Sequence, residues 1–465
     1  MLNHIHFAHH QPLFLLLLVS VVSACNQAPP VTAAPRYTEI PNSSILSPSP
    51  TPSSPLITTP ITTAYQNRVF YGFTYQYADG NRVVPGMGNL PNLKPLDIQL
   101  PGTPIWIAAA PLKDGAVLTV VLSDGRAFSF YILENGNIED DPAQVDIPAG
   151  MPPAIISRAD NSSLILVPDL DQSQLSHPIY LPLSDQRAYI STAGEIRFMD
   201  ASDQLLASLD VHALPDARIL RDENDRLLVL SDPTDKYDHG VLGDNLEAAS
   251  ITLIETLPEP LINSRITLND NEVIEGIAPI WADLTGDGRR EIIVTVSNLD
   301  LGAGIAVFNE SGDRIAEGPK FGRPYRWRHQ IAVDNLGPHG ETELVVVRTP
   351  HIGGIVEYYQ LHDGELAIAA EFAGITSHTN GSRNLDQAAV GDFDGDGFIE
   401  LLVLNPALSE YIAVQRTSNG AEELWRLHLD GILNTNLAGV LLPSRRSAIG
   451  IGRADGVLRL WLPED

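Results

Sequence analysis

From residue 97 onward the chain alternates short apolar runs with turns rich in Gly, Asp and Asn, and one kind of run recurs. AVLTVVL (116–122), SLILVP (163–168), RLLVLS (226–231), EIIVTV (291–296), ELVVVR (343–348), ELLVLN (400–405) and SAIGIG (447–452) are short, aliphatic and bounded by turn formers. Such runs read as strands buried on both faces. Weaker, half-polar runs follow them. GIAVFN (304–309), GIVEYYQL (354–361) and EYIAVQR (410–416) supply a third strand, and LLASLDV (205–211), ELAIAAEF (365–372) and ELWRLHL (423–429) a fourth. Short antiparallel strands repeating every 55 residues or so, roughly the period of propeller blades, predict an all-β chain: a seven-bladed β-propeller with four-stranded antiparallel blades. Stacked β-sandwiches lack a repeat of this period, and β-helix coils are shorter.

The ends of the array predict how it closes. The last unit, from Leu437, has room for three strands only, while Asp97–Leu100 precedes the first inner strand (Ile105–Ala110), where every other unit places a fourth. Pairing of Asp97–Leu100 with the last unit would close the ring and remove an exposed edge. Residues 65–96, with the aromatic run Phe70, Tyr71, Phe73, Tyr75 and Tyr77, are expected to form a hairpin or cover segment on the first or last unit.

The N-terminal residues follow another logic. Residues 13–22 are an apolar stretch of signal-peptide length, too short for a comfortable span. Val22-Ser23-Ala24-Cys25 follows and resembles the bacterial lipobox, which implies removal of residues 1–24 and lipidation of Cys25, the only cysteine. Acyl chains on Cys25 would anchor the protein to a membrane on its periplasmic or cell-surface side. Residues 25–64 read as a disordered linker, since 26–64 carry nine Pro and thirteen Ser or Thr, with Arg36 and Glu39 as the only charges.

Charge narrows the partners. Lys and Arg number 29 against 58 Asp and Glu, a formal charge of −29, the wrong sign for nucleic acid. One cysteine excludes an internal disulfide or a thiolate metal cluster. Metal cations fit this balance, and two loops share a spacing that would hold them. Asp283-Leu284-Thr285-Gly286-Asp287-Gly288-Arg289-Arg290-Glu291 and Asp392-Phe393-Asp394-Gly395-Asp396-Gly397-Phe398-Ile399-Glu400 place oxygens at positions 1, 3, 5 and 9 and Gly at 6. A hard cation needs alternate inward side chains, a sharp turn, a backbone carbonyl (here Arg289 or Phe398) and a closing carboxylate, which is Ca2+ chemistry. Each loop runs into a hydrophobic second strand, and so residues 276–406 resemble the FG-GAP/VCBS repeat family, which includes the integrin α-subunit propeller. That resemblance implies calcium at Asp283, Thr285, Asp287, Arg289 and Glu291, and at Asp392, Asp394, Asp396, Phe398 and Glu400. A third loop, 335–343, keeps its Gly and final Glu but lacks ligands at positions 3 and 5.

Alternating strand direction sends the remaining chemistry to the opposite face. Asp238, His239, Arg326, Trp327, Arg328, His329, His351, His378, Arg383, Asn384 and Asp386 fall in loops expected there. Arg clamps and aromatic surfaces in an acidic protein suit a protein, glycan or small anionic ligand. The expected function is a calcium-binding, lipid-anchored recognition module. An enzyme of polysaccharide lyase or hydrolase type using the same face, or a structural envelope protein without a ligand, are the alternatives.

Overall fold

The recurrent apolar runs become the second strand of their sheets, and their burial explains their composition. Gly115–Leu122 and Glu291–Asn298 are buried at every position, whereas the fourth strands Leu205–Asp210 and Leu261–Thr267 are largely exposed. Inner strands are covered on both faces by neighbouring sheets, while outer strands reach solvent, and hydrophobicity falls along each sheet accordingly. The computed structural model describes residues 70–141, 145–323 and 325–463, and every regular element among them is a strand. The signal segment 1–24, Cys25 and the linker 25–64 lie outside the described residues.

The fold is a β-propeller, and the described strands make six hydrogen-bonded sheets, one of thirteen strands; dividing that sheet in chain order into three gives eight sheet units where seven are expected. In chain order these begin at Pro104, Ile155, Ile179, Leu220, Ile280, Arg328, Ala389 and Leu433. The additional unit is the third: Ile179–Leu181, Gln186–Ile190, Glu195–Met199 and Leu205–Asp210. Its second strand opens on the half-buried Gln186 and Arg187, so it carries no aliphatic run to mark it. The four-strand rule also has an exception. The second unit contributes only Ile155–Ser157 and Ser163–Ile165, to which the N-terminal strand Phe70–Gly72 adds a third.

Each unit shares buried apolar residues with the next. Ile292 and Leu228 join one cluster across the fifth and fourth units, Val345 and Leu401 another across the sixth and seventh, and Leu402 and Ile449 a third across the seventh and eighth. The eighth meets the first through Ala438, Leu458 and Leu118, and by Asn436, whose side chain accepts from Ile107 N (3.0 Å) and donates to Ile107 O (2.7 Å). Leu96–Gln99 pairs antiparallel with Val457–Trp461, so the expected closure forms.

The aromatic N-terminal segment does not make the expected hairpin. Phe70–Gly72 pairs with the second unit's inner strand, while Val83–Met87 runs parallel to Ala389–Asp392, the inner strand of the seventh. Between them the segment fills the channel around which the inner strands stand. Ala78 O accepts from Arg221 N (3.0 Å), Asp79 O from Trp281 N (3.0 Å) and Arg82 O from Val390 N (2.9 Å). The Asn81 amide exchanges two bonds with Val333, at 2.8 and 2.9 Å, and Gln76 accepts from Gly439 N at 3.3 Å. Inner-strand polar groups of five units thereby find partners in one segment. The approach is close enough to require glycine: a Cβ on Gly72 would lie 2.2 Å from Ala109 O, and one on Gly88 2.0 Å from Phe393 O.

A buried charge network locks this segment in place. Asp386 binds Arg82 Nε at 2.6 Å and Arg218 Nη1 at 2.5 Å, and all three residues are buried. Burial alone would raise the Asp386 carboxyl, but Arg218 and Arg82 outweigh it and hold it below the usual carboxylate range. Arg82 also donates to Gln330 O (3.1 Å), and Arg218 stacks over Tyr75, 5.3 Å from the ring centre. Removing Asp386 would leave two guanidinium ions buried without their counterion, so Asp386→Ala is expected to cost about 3–5 kcal/mol. Urea unfolding checks this; a loss of less than about 1 kcal/mol would show that the network does not secure the segment.

Candidate functional site

The two acidic loops join first to second strands of the fifth and seventh units and therefore open on one face. Ligand oxygens of Asp392, Asp394, Asp396 and Glu400 lie within 4.8 Å of one another, as do those of Asp283, Asp287 and Glu291. Backbone N–H groups shape both loops. Asp283 accepts from Gly286 N (2.7 Å) and Gly288 N (2.9 Å), and Asp392 accepts from Gly395 N (2.7 Å). Arg289 N and Phe398 N donate to Asp287 and Asp396, each at 2.8 Å. Left-handed turns fall on Gly288 (φ 84°) and Gly397 (φ 90°), position 6 of the loop spacing, and also two residues earlier on Gly286 and Gly395.

The closing glutamates differ. Glu291 accepts from Leu284 N (2.8 Å) and Thr285 N (3.1 Å), and its other oxygen faces the Thr285 hydroxyl at 3.3 Å. Glu400 accepts from Phe393 N at 2.8 Å, while its Oε1 is buried with no hydrogen-bond partner. Burial, with Asp394, Asp396 and Asp392 adding to it, pushes the Glu400 carboxyl up to about 8. A buried carboxylate oxygen aimed at three more carboxylates is the donor set a divalent cation fits. Trp425, from the outer strand of the same unit, donates Nε1 to Asp394 at 3.0 Å, a supporting contact that sequence spacing could not reveal.

Glu343, which closes the third loop, is committed differently. Arg416 binds it with two nitrogens at 2.9 and 3.0 Å, and Gln360 donates at 2.7 Å. A cavity of about 550 Å³ lies between the first and third loops, lined by residues that include Asp79, Asp283, Arg290, Asp334 and Thr342.

The opposite face brings together some of the predicted ligand-binding residues and withdraws others. Trp327 stacks on His329 (4.9 Å between ring centres) and meets His378 edge-on at 5.0 Å, while His351 Nε2 lies 2.7 Å from His378 Nδ1. His378 Nε2 is 2.7 Å from Ser382 O, which can only accept, so His378 donates there and takes the His351 proton as acceptor. Burial drives His378 to about 3 and His351 to about 4, and holds His329 well below the ordinary histidine value. These rings are neutral at physiological pH.

Arg328, expected as a clamp, points elsewhere. It is buried between the fifth and sixth units, where Glu357 binds it at 3.0 Å and also binds Arg348. Asp386 belongs to the channel network, and Arg383 pairs with Asp216 (2.8 Å) and Asp244 (2.5 Å). Asn384 is buried and its Oδ1 accepts from Asp386 N at 3.2 Å. Asp238 remains exposed, and His239 and Arg326 are partly so. Arg328 thus finds a carboxylate within its unit and Arg383 finds two from another part of the ring, which removes both from ligand contact.

The partner of His239 is Glu275, not Asp238. Its Nδ1 bonds the buried Glu275 carboxylate, whose other oxygen takes the Ser297 hydroxyl, and the rings of Tyr325 and Tyr237 pack at 5.3 and 6.0 Å. Glu275 lies in the connection between the fourth and fifth units, and no local motif marked it. Nearby, burial pushes Glu247 up to about 10, with Glu275, Asp216 and Asp244 adding to the rise, so it is protonated at neutral pH. The loop between the second and third strands of the fourth unit packs Val241 and Leu242 against Ile277, Trp327 and Leu385.

No protein-family model and no curated protein sequence matches the chain. Among solved structures it is similar to BamB from Moraxella catarrhalis, with 14% identity and a TM-score of 0.45 over 80% of this chain and 100% of that one. It is similar also to U3-55K, with 10% identity and a TM-score of 0.42 over 81% and 100%. A third is a catalytically inactive virginiamycin B lyase from Staphylococcus aureus with quinupristin, with 14% identity and a TM-score of 0.40 over 80% and 100%. At such values these likenesses carry no argument about activity.

Two pH effects of opposite sign follow. The depressed histidines contribute stability that is complete above their ordinary value near 6.5 and is lost as pH falls toward about 4. Melting temperature is therefore expected to fall between pH 7 and pH 4, and His378→Gln to flatten that fall; an unchanged slope in the variant would contradict it. Glu247, raised from 4.5 to about 10, contributes stability present below about 4.5 and lost as pH rises toward 10. Glu247→Gln is expected to stabilise the protein at pH 8 by about 1–3 kcal/mol in urea unfolding, and a destabilised variant would contradict that.

Proposed function

We propose that the protein is a lipid-anchored, extracytoplasmic β-propeller that binds calcium and acts as an interaction module for another protein. The observation that carries this reading is the filled channel: residues 71–84 of the chain's own N-terminal segment bond to inner strands around the axis, and Arg82, Asp386 and Arg218 are buried there. A propeller with its axis occupied binds through its faces and rim, and such surfaces suit macromolecular partners. Calcium is supported by the four clustered carboxylates at 392–400 and the partnerless Glu400 oxygen. Anchoring is supported by the apolar residues 13–22 followed by Val22-Ser23-Ala24-Cys25. One observation favours a second reading, as a lyase or hydrolase: His239, oriented by Glu275 and partly exposed, is arranged as a general base.

Detergent extracts of producing cells, resolved by native electrophoresis after cross-linking, are expected to give a discrete complex larger than the monomer. Cys25→Ser is expected to release the protein from membranes. A protein monomeric in every extract that cleaves uronate polymers, and stops doing so as His239→Ala, would replace the interaction reading with the enzymatic one.

Calorimetric titration is expected to show calcium binding, tighter at 392–400 than at 283–291. Asp394→Ala is expected to remove the tighter phase and Asp287→Ala the weaker. At a hundredfold excess over Kd, calcium stabilises by about 2.7 kcal/mol per site; no heat and no melting shift would refute the calcium assignment.

A further inference from the structure

We propose that a ledge on the fifth and sixth units, on the histidine-bearing face, docks an acidic segment of a partner protein that also carries apolar side chains. This deepens the interaction reading and rests on it. Three stretches make the ledge: the turn 298–302, residues 321–323 and 325–327 of the connection between the two units, and the turn 349–353. They lie side by side. Ala303 bridges to Phe321, Thr349 N donates to Trp327 O at 2.9 Å, and the Arg348 guanidinium stands 4.8 Å from the centre of the Phe321 ring.

Five large apolar side chains face solvent there: Leu299, Leu301, Phe321, Tyr325 and Ile352, the last 66% exposed. Apolar side chains gathered on neighbouring loops mark an interaction surface where scattered single ones would not. Tyr325 is fixed in advance. Its backbone is left-handed at φ 60°, a conformation bulky residues rarely adopt, and Tyr237 Oη accepts its N–H at 2.6 Å while the two rings pack at 5.2 Å. A rigid exposed aromatic beside Arg is the composition of interface anchors.

Charge selects the partner. Among the described residues neither Arg323 nor Arg326 makes an ion pair, and the Arg326 guanidinium donates to the neighbouring Tyr325 O at 2.9 Å. Other arginines in this part of the chain, Arg314, Arg328, Arg348 and Arg383, are all paired. The chain has 58 acidic residues against 29 basic ones, so two cations without carboxylates next to an apolar patch stand out. Asp300 shares the first turn and Asp238 lies in the loop that carries Tyr237, so the ledge is mixed in charge, with its guanidinium groups placed to receive carboxylates flanking an apolar anchor.

Panning a random peptide display library against the full-length protein tests this. A body of net charge −29 selects basic peptides by default. The ledge is expected to enrich peptides of net negative charge with aliphatic or aromatic residues. Their synthetic versions should bind roughly tenfold or more weakly to Arg323→Glu and Arg326→Glu, as loss of an interface anchor does. Arg445→Glu, on the calcium-loop face, should bind them as wild type does. Enrichment of basic peptides, no enrichment, or equal binding to the charge-reversed variants would overturn the proposal. Melting curves of the exposed-site variants confirm folding. Failure here alongside a discrete complex in extracts would reject the ledge and leave the interaction reading standing, whereas absence of that complex would reject the reading itself.

Discussion

The ring depends on one constraint: inner strands present backbone N–H and C=O groups toward the axis, and buried groups of this kind require partners. Eight units enclose a channel that the first strands do not fill by themselves. The chain meets this with its own N-terminal segment, which bonds to Arg221, Trp281, Val333, Val390 and Gly439 in turn. Asp386 decides whether the segment can stay. It neutralises Arg82 from the segment and Arg218 from the ring with one carboxylate, joining residues that sequence separates by more than half of the chain.

The same scarcity of base organises the faces. With half as many basic as acidic residues, an arginine near a unit boundary meets a carboxylate from the neighbouring unit before it meets a ligand. Arg226 with Glu310 and Arg416 with Glu343 are such contacts, whereas Arg328 meets Glu357 within its own unit. Buried pairs of this kind add little net stability over apolar packing, but breaking one side is costly, so they fix which unit packs on which. Arg328 and Asp386, placed by sequence order in ligand-bearing loops, are therefore structural.

Much of the fold was legible because burial on both faces writes a continuous aliphatic run into each second strand, and the ring closure by Leu96–Gln99 followed from counting strands at the two ends. The third unit was not legible. Gln186–Ile190 is short and half-polar, and the loops before it hide the boundary with a reduced second unit. The channel segment escaped as well: the alternation of Tyr71, Phe73, Tyr75 and Tyr77 suggests a strand but not its place, and Tyr75 and Arg82 are placed by contacts with distant strands. For the same reason the carboxylate clusters, built within nine residues, were readable, whereas Glu275 for His239 and Trp425 for Asp394 were not.

The three loops that begin alike end with three solutions to one electrostatic problem, a glutamate at the start of a buried second strand. Glu343 is neutralised by Arg416, which reaches it from the third strand of the next unit. Glu291 is met by two backbone N–H groups and the Thr285 hydroxyl. Glu400 receives one N–H, keeps an oxygen without a partner and faces three more acids. Protonation can relieve it only at the expense of a carboxyl pushed up to about 8, whereas a divalent cation relieves all four groups together. The proposed calcium would thus matter most in the seventh unit, whose inner strand also carries the channel segment through Val83–Met87, so an ion at 392–400 would stabilise the join between ring and plug as well as its own loop.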